Sequence, residues 1–305
     1  MTEMLDAPSS TWFTVPTHWG WLIVLHFFLS GLAAGTFFLS ALIDLTRPEA
    51  DRRLARLGYL ATLPLLAVVG VILIVDLKRP ERFWHMLLAN HTLEPMFKPW
   101  VPMSIGSWAV LFLGLFALLA FVASFAEWRR PHWTWARRLR PPGALGTTVV
   151  VLGAFFALVI TGYTGVMISV LNQPVWSDTP LFGMLFNVSA VAMAAALLVL
   201  GSRWLGGEIP VVAALQRILA WLLGLQLLVL LALFLNLGDA ARGWLNVWGF
   251  VLAVGVVVGV VLPLVAALPR KAPRLASLPL AAALVLAGGF LVRTAIVFVP
   301  EANLP

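Results

Sequence analysis

The sequence contains no cysteine, which excludes disulfides, thiolate metal sites and an iron–sulfur cluster ligated by this chain. Any such metal centre must belong to a partner. Charge is scarce too: Asp, Glu, Lys and Arg make up 11% of 305 residues against 61% hydrophobic, with a mean hydropathy of +0.98. A soluble domain of this size could not solvate such a surface, so the chain reads as an all-α, polytopic membrane protein. Histidines number five (His18, His26, His85, His91, His132), and only His26 falls at membrane depth, which excludes a bis-histidine haem inside the bundle. No glycine-rich phosphate loop, nucleophile motif or carboxylate-rich metal cluster occurs, so neither haem nor metal is expected in the chain. A charge of +7 and a pI near 11 would suit nucleic acid, but the arginines sit in short loops between apolar runs, where they set orientation. Lipid, and no nucleic acid, is the expected surrounding.

What is present is a series of apolar runs long enough to cross about 30 Å of hydrocarbon. They cover about 19–45, 56–77, 103–126, 147–171, 181–204, 210–237, 245–268 and 276–299, which predicts eight transmembrane helices in two four-helix bundles. Residues 1–305 then form one membrane domain, with no fixed-period repeat. The segment 1–18 carries Glu3 and Asp6 and no Lys or Arg, unlike a cleavable signal, so the first helix is read as retained. Fourteen Lys and Arg residues fall on the side of the loops after the first, third, fifth and seventh runs, and five on the other. By the positive-inside rule both termini are external, periplasmic in a bacterial inner membrane, and 1–18 is an external tail.

Ionisable groups inside a bilayer are costly and therefore candidates for function. His26 lies 7 residues past Trp19, Tyr163 lies 8 before Leu171, and Arg293 lies 7 before Pro300. At about 1.5 Å per residue each is about 10–12 Å in from the same external end. Asp76 closes the second run at that face, and "DLKRPERFWHML" brings Lys78, Arg79 and Arg82 after it, the largest departure from the charge rule. Taken alone, Arg293 reads as a structural group that snorkels outward or pairs with a carboxylate such as Asp76. Asp44 and Glu127, beside the arginine loops, read as interface anchors, and Gly31 and Gly35 as a small-residue packing face. The tryptophans, including Trp21, Trp100, Trp176 and Trp244, read as belt residues. A small-molecule or proton site in the outer leaflet is what remains.

The segment "DLKRPERFWHML" is similar to the D-L-x-R-P-x-R-F-W-x-x-L stretch of the polysulfide-reductase/NrfD family of quinone-reactive membrane subunits. "PMSIGSWAVLF" resembles its P-M-S-x-G-x-W run, "GYTGVMISVLNQPVW" its Y-T-G segment followed by P-x-W, and "GGFLVRTAIV" its last helix. The resemblance implies an eight-helix, haem-free anchor that exchanges electrons between membrane quinone, menaquinone or ubiquinone, and an iron–sulfur, ferredoxin-like partner. That partner serves a catalytic subunit, commonly one with molybdopterin. It also implies that His26 and Tyr163 contact the quinone headgroup near the outer face, with Arg293 alongside. One position departs: an Asn one turn before the helix 1 His of the polysulfide reductase subunit is here Ile23.

On this reading helices 1–4 (about 19–171) hold the quinone site and helices 5–8 (about 181–299) complete the anchor. His26 and Tyr163 donate to the carbonyls or accept protons, Asp76 connects to the aqueous side, and Lys78, Arg79 and Arg82 form a docking rim. A secondary transporter or proton channel, and a purely structural anchor, are the alternatives.

Overall fold

The computed structural model describes residues 8–15, 17–206, 209–267 and 274–304. Glu3, Asp6, Arg270 and Lys271, on which the N-terminal and orientation readings partly rest, lie outside the described residues. Eight long helices run Trp21–Thr46 (α1), Arg52–Asp76 (α2), Pro102–Arg129 (α3), Ala144–Ser169 (α4), Phe182–Ser202 (α5), Pro210–Leu237 (α6), Val247–Ala267 (α7) and Arg274–Phe298 (α8). All eight are long and apolar enough to span a membrane. The chain is a multi-pass membrane protein, and the apolar runs place its helices to within about four residues. Among the described residues there is no β-strand, only an isolated bridge between Leu88 and Pro95.

Local chemistry fixes the helix ends. Pro102 and Pro210 open α3 and α6, where the missing N–H would have lacked a helical partner anyway. The Asn246 side chain accepts from the amides of Trp248 and Gly249 at 2.9 and 3.3 Å, capping α7. Asp51 accepts from the Val211 amide at 3.0 Å, so the loop before α2 caps α6. At the other end of α2, Lys78 takes a left-handed conformation (φ 56°) and Pro80 starts a 3-10 turn over Pro80–Met86, which carries the charged segment out of the span.

Helix contacts run cyclically through α1, α2, α3 and α4, and again through α5, α6, α7 and α8, while α5 also lies against α1 and α4, and α8 against α1. The most apolar windows of α1 and α5 are 72% buried, against 28–39% for α2, α3, α4, α6 and α7. Lipid therefore sees the outer helices, and α1 and α5 form the inner seam. They can approach because Gly35 faces the Ala190 carbonyl and the Ala194 methyl, which a Cβ at that position would meet at 2.6 and 3.0 Å, too close to be accommodated. Without water to drive apolar association, such close contact is the main source of helix adhesion. In α7 a π turn over Val257–Val261 lets Gly259 touch Gly288 of α8 backbone to backbone.

Two readings from sequence need correction. Asp44 and Glu127 are not simple interface anchors. The Asp44 side chain is fully buried and accepts from Arg140 Nε at 2.9 Å, Arg140 Nη2 at 2.7 Å and Arg52 Nε at 3.0 Å. Arg140, 1% exposed, also pairs with Glu127, and Arg52 donates to the Pro141 carbonyl. Burial pulls the Arg140 guanidinium down, but bonding to Asp44 and the charges of Asp44 and Glu127 outweigh it and hold the group above its ordinary range. Trp176 and Trp244 are not belt residues either: Trp176 is 0% exposed and donates to the Ile296 carbonyl at 2.6 Å, and Trp244 is 6% exposed. Trp21 (56%) and Trp100 (77%) are surface tryptophans.

Replacing Arg140 strips a buried carboxylate of its two shortest bonds, so Arg140→Ala is expected to cost about 3–5 kcal/mol, with partial recovery in Arg140→Lys. Thermal unfolding in detergent checks this; an unchanged midpoint for Arg140→Ala would remove the network from the account of stability.

Candidate functional site

His26 lies 5 residues inside the Trp21 end of α1, Tyr163 6 residues inside the Ser169 end of α4, and Arg293 5 residues inside the Phe298 end of α8. All three ends are on one face, so the side chains start about 7–9 Å from it. Depth alone does not make a site; the facing of each helix decides which groups meet.

The α1–α4 interface fixes a register. Phe37 packs on Gly153, where a Cβ would strike its ring. His26 is eleven residues before Phe37 and Thr164 eleven after Gly153 in an antiparallel helix. Eleven residues are close to three turns, so His26 and Thr164 share a level and face the same interface. Ser30 lies one turn further in on the same side of α1.

These groups have a common property. His26 Nδ1, Ser30 Oγ and Thr164 Oγ1 are buried with no hydrogen-bond partner. His26 is 6% exposed, Ser30 and Thr164 1% each. Buried orphans are uncommon in folded proteins, and three at adjoining levels of one interface need an explanation. The other hydroxyls of α1 are satisfied: Thr36 donates to the Leu32 carbonyl at 2.6 Å and Ser40 to the Thr36 carbonyl at 2.7 Å. Ser30 and Thr164 are site candidates that the sequence reading missed. Their signal was slight, a serine four residues after His26 and a threonine next to Tyr163.

Tyr163 is half-buried and turned about 100° from Thr164, toward α3, where its ring covers Gly106. A Cβ at Gly106 would collide with that ring, which gives a physical reason for glycine in "PMSIGSW". Asp76 follows from the α1–α2 register: Gly58 packs on Ser40, which puts Ile72 level with His26 and Asp76 one turn nearer the surface. Asp76 is half-exposed and forms no ion pair among the described residues, and Lys78, Arg79 and Arg82 are exposed beyond it. Arg82 lies 3.9 Å from Glu81.

Arg293 belongs to a different place. It is fully buried in the seam between α1, α5 and α8, donating from Nε to the Phe27 carbonyl at 3.1 Å and from Nη1 to Ser189 Oγ at 3.1 Å and the Gly289 carbonyl at 3.2 Å. Its Cζ lies 4.9 Å from the Phe186 ring centroid, and Nη2 stands over Gly31 without a partner. It does not pair with Asp76. No hydrogen bond joins His26, Tyr163, Asp76 and Arg293 to one another. Nor do the cavities of about 480 and 40 Å³ at the arginine-rich end reach them. Among the described residues no group of His, Cys, Asp and Glu could hold a metal ion.

The fold and this arrangement define an integral membrane protein with unpartnered polar groups buried between helices near one face. The chain belongs to the family described as polysulphide reductase, NrfD, which it matches over residues 13–302. It is similar to a selenate reductase subunit of Mesobacillus selenatarsenatis, 31% identical over 101 residues, 33% of this chain and 21% of that protein. It is also similar to a provisionally named dimethyl sulfoxide reductase membrane subunit of Halobacterium salinarum, 31% identical over 78 residues, 26% of this chain and 18% of that one. The matched stretch spans about a fifth of the length of these relatives.

Arg293 is expected to act as a staple of the seam. Ser189→Ala should lower stability by about 1–3 kcal/mol by withdrawing an acceptor from a buried cation. Arg293→Met, which removes the charge at similar length, should be far less damaging than Arg293→Ala. Unfolding midpoints for the three variants decide; equal loss in Arg293→Met and Arg293→Ala would mean that the charge itself is required.

Proposed function

We propose that this chain is the haem-free membrane subunit of a respiratory reductase complex, exchanging electrons and protons between membrane quinone and an iron–sulfur partner subunit. The observation that carries the reading is the set of orphaned polar atoms on His26, Ser30 and Thr164 beside Tyr163, in the half of the bundle nearest Asp76. A quinone headgroup offers two carbonyl acceptors within an otherwise apolar body, and its reduction or oxidation moves two protons with two electrons. Buried hydroxyl and imidazole groups without partners fit such a ligand, because they supply directed hydrogen bonds where no water competes. The family, and relatives named as reductase subunits, support the same reading.

In this proposal His26 and Tyr163 hold the two carbonyl ends, with Thr164 and Ser30 orienting His26 or the ligand from one turn away. In the same proposal the His26 imidazole also takes a proton from the ligand or returns one to it. Asp76, one turn outward and half-exposed, carries protons between the site and the water at that face. Because the chain has no cysteine and no metal-holding group among its described residues, the electrons pass to a cluster in a partner, and through it to a catalytic subunit, with molybdopterin as the expected cofactor there. Exposed Lys78, Arg79 and Arg82 form the rim on which the partner docks. Arg293 supports the site from behind, by fixing α1 through the Phe27 carbonyl next to His26. Both termini then lie outside the inner membrane of a bacterium.

The test is titration of a short-chain quinone analogue into the purified chain with its co-purifying subunits, followed by tryptophan fluorescence. His26→Ala, Tyr163→Phe and Thr164→Val should each weaken binding about tenfold or more while helicity and assembly are retained. Absence of saturable binding in the wild type, or indifference to all three changes, would sink the assignment. Independently, Arg79→Glu with Arg82→Glu should release the partner subunit, and do so more readily at higher salt, without changing analogue affinity in the chain alone. Retention of the partner at all salt concentrations would place docking elsewhere.

A further inference from the structure

The second polar region of the molecule lies at the opposite, arginine-rich end and holds a cavity of about 480 Å³. Its wall carries Arg52, Arg137, Arg138 and Arg140 with Glu127, together with the start of α4 at Gly143, Ala144 and Leu145. Arg52 and Arg140 are matched by Asp44 and Glu127. Arg137 and Arg138 are exposed and make no ion pair among the described residues. Four guanidinium groups against two carboxylates leave two positive charges unmatched. The first turn of α4 adds to this: Gly143 provides no side-chain cap, and the Thr147 amide makes the first bond to the Gly143 carbonyl, at 2.9 Å. Ala144 and Leu145, on the cavity wall, thus carry first-turn amides without an intrahelical acceptor at the positive end of the helix dipole.

Such a cavity takes an anion carrying oxygens, and its position says which. It sits where α3 ends at Arg129 and α4 begins at Ala144, the edge of the hydrocarbon span. Leu145 (57%) on its wall and Trp135 (61%), next in sequence to the wall residue Thr134, are exposed, and Leu152 (42%) repeats Leu145 one heptad down the same face of α4. A soluble anion would gain nothing from those apolar groups, whereas a lipid covers them with its acyl chains and glycerol while its phosphate meets the arginines. We infer that the arginine-lined cavity between the Glu127 end of α3 and the start of α4 is a binding site for the phosphate headgroup of an anionic phospholipid. The buried Asp44–Arg140–Glu127 network is its foundation, because it holds Arg52 and Arg140 in place. Arg137 and Arg138 are the free cations that close on the ligand.

The purified, delipidated full-length chain, with any subunits that stay bound, is titrated with phosphatidylglycerol, phosphatidylcholine and inorganic phosphate and read by native mass spectrometry. Phosphatidylglycerol should bind the wild type at least about tenfold more tightly than phosphatidylcholine. Arg137→Ala with Arg138→Ala should weaken that binding about thirtyfold, near the expected worth of two basic residues at a lipid surface. Arg129→Ala with Arg130→Ala removes the same charge from positions outside the cavity wall and should change it less than about threefold. Leu145→Asp, an exposed change that removes no arginine, should also abolish the preference. Equal weakening in both arginine pairs, no preference over phosphatidylcholine, or inorganic phosphate binding as tightly as the lipid would each overturn the proposal.

Discussion

The close approach of α1 and α5 is the contact on which the rest of the arrangement depends. Gly35 admits the Ala190 carbonyl and the Ala194 methyl at distances no larger side chain tolerates, and Gly31 opens the space that the Arg293 guanidinium enters. With α1 and α5 in contact, Arg293 can reach the Phe27 carbonyl on one and Ser189 on the other, joining three helices with one side chain. The same packing turns the opposite side of α1 toward α4, and there His26 meets the level of Thr164. A buried seam on one face of α1 thus sets the geometry of a candidate site on its other face.

The two polar regions differ in how they are satisfied. At the arginine-rich end each buried charge has a partner: Asp44 receives three guanidinium nitrogens, Glu127 receives Arg140, and Asp51 receives the Val211 amide. At the other end His26 Nδ1, Ser30 Oγ and Thr164 Oγ1 have none. Desolvation penalises unpaired polar groups by about 1–3 kcal/mol each, so a folded chain retains them where a bound molecule or water completes them. Unpartnered buried atoms occur elsewhere too, Tyr59 Oη beside Arg140 among them, so it is the grouping of three at adjoining levels of the α1–α4 interface that marks the candidate site, while the charges at the arginine-rich end read as structure. The arginine-rich end still has a ligand-binding face, but it is built from Arg137 and Arg138, which stand outside the saturated core.

The sequence made the spans legible because each is an apolar run interrupted by Pro, Gly or Arg, and lipid imposes the same length on all of them. His26, Tyr163, Asp76 and Arg293 were legible as ionisable groups at one depth. Ser30 and Thr164 were not, because a hydroxyl in a helix usually bonds back to its own carbonyls, as Thr36, Ser40 and Thr62 do. Only packing reveals which hydroxyl is left over. The Asp44–Arg140 pair joins residues 96 positions apart through an irregular loop, and no local pattern announces that. Arg293 was visible as a buried cation, but its partners are carbonyls and a serine rather than a carboxylate, so charge pairing pointed the wrong way. Trp176 looked like a belt residue from its position near a span end, and its burial follows from the loop after α4 folding in over α8.

His26 and Asp44 stand 18 positions apart on α1, or about 27 Å of helix. Polar groups occur along the way, but they do not connect the two ends. Leu32, Ala33, Ala34 and Phe37 are at most 6% exposed and fill the space around them, and Thr36 and Ser40 donate inward to their own helix. A proton at His26 meets a tightly packed apolar layer on one side and, one turn away on the other, the half-exposed carboxylate of Asp76. A charge crossing the apolar layer would lose its hydration without gaining partners, at a cost well above that of the short outward route. With this packing, the proton exchange proposed for His26 would open to the face that carries Asp76 and the Lys78, Arg79 and Arg82 rim, the same face on which the proposed electron acceptor docks.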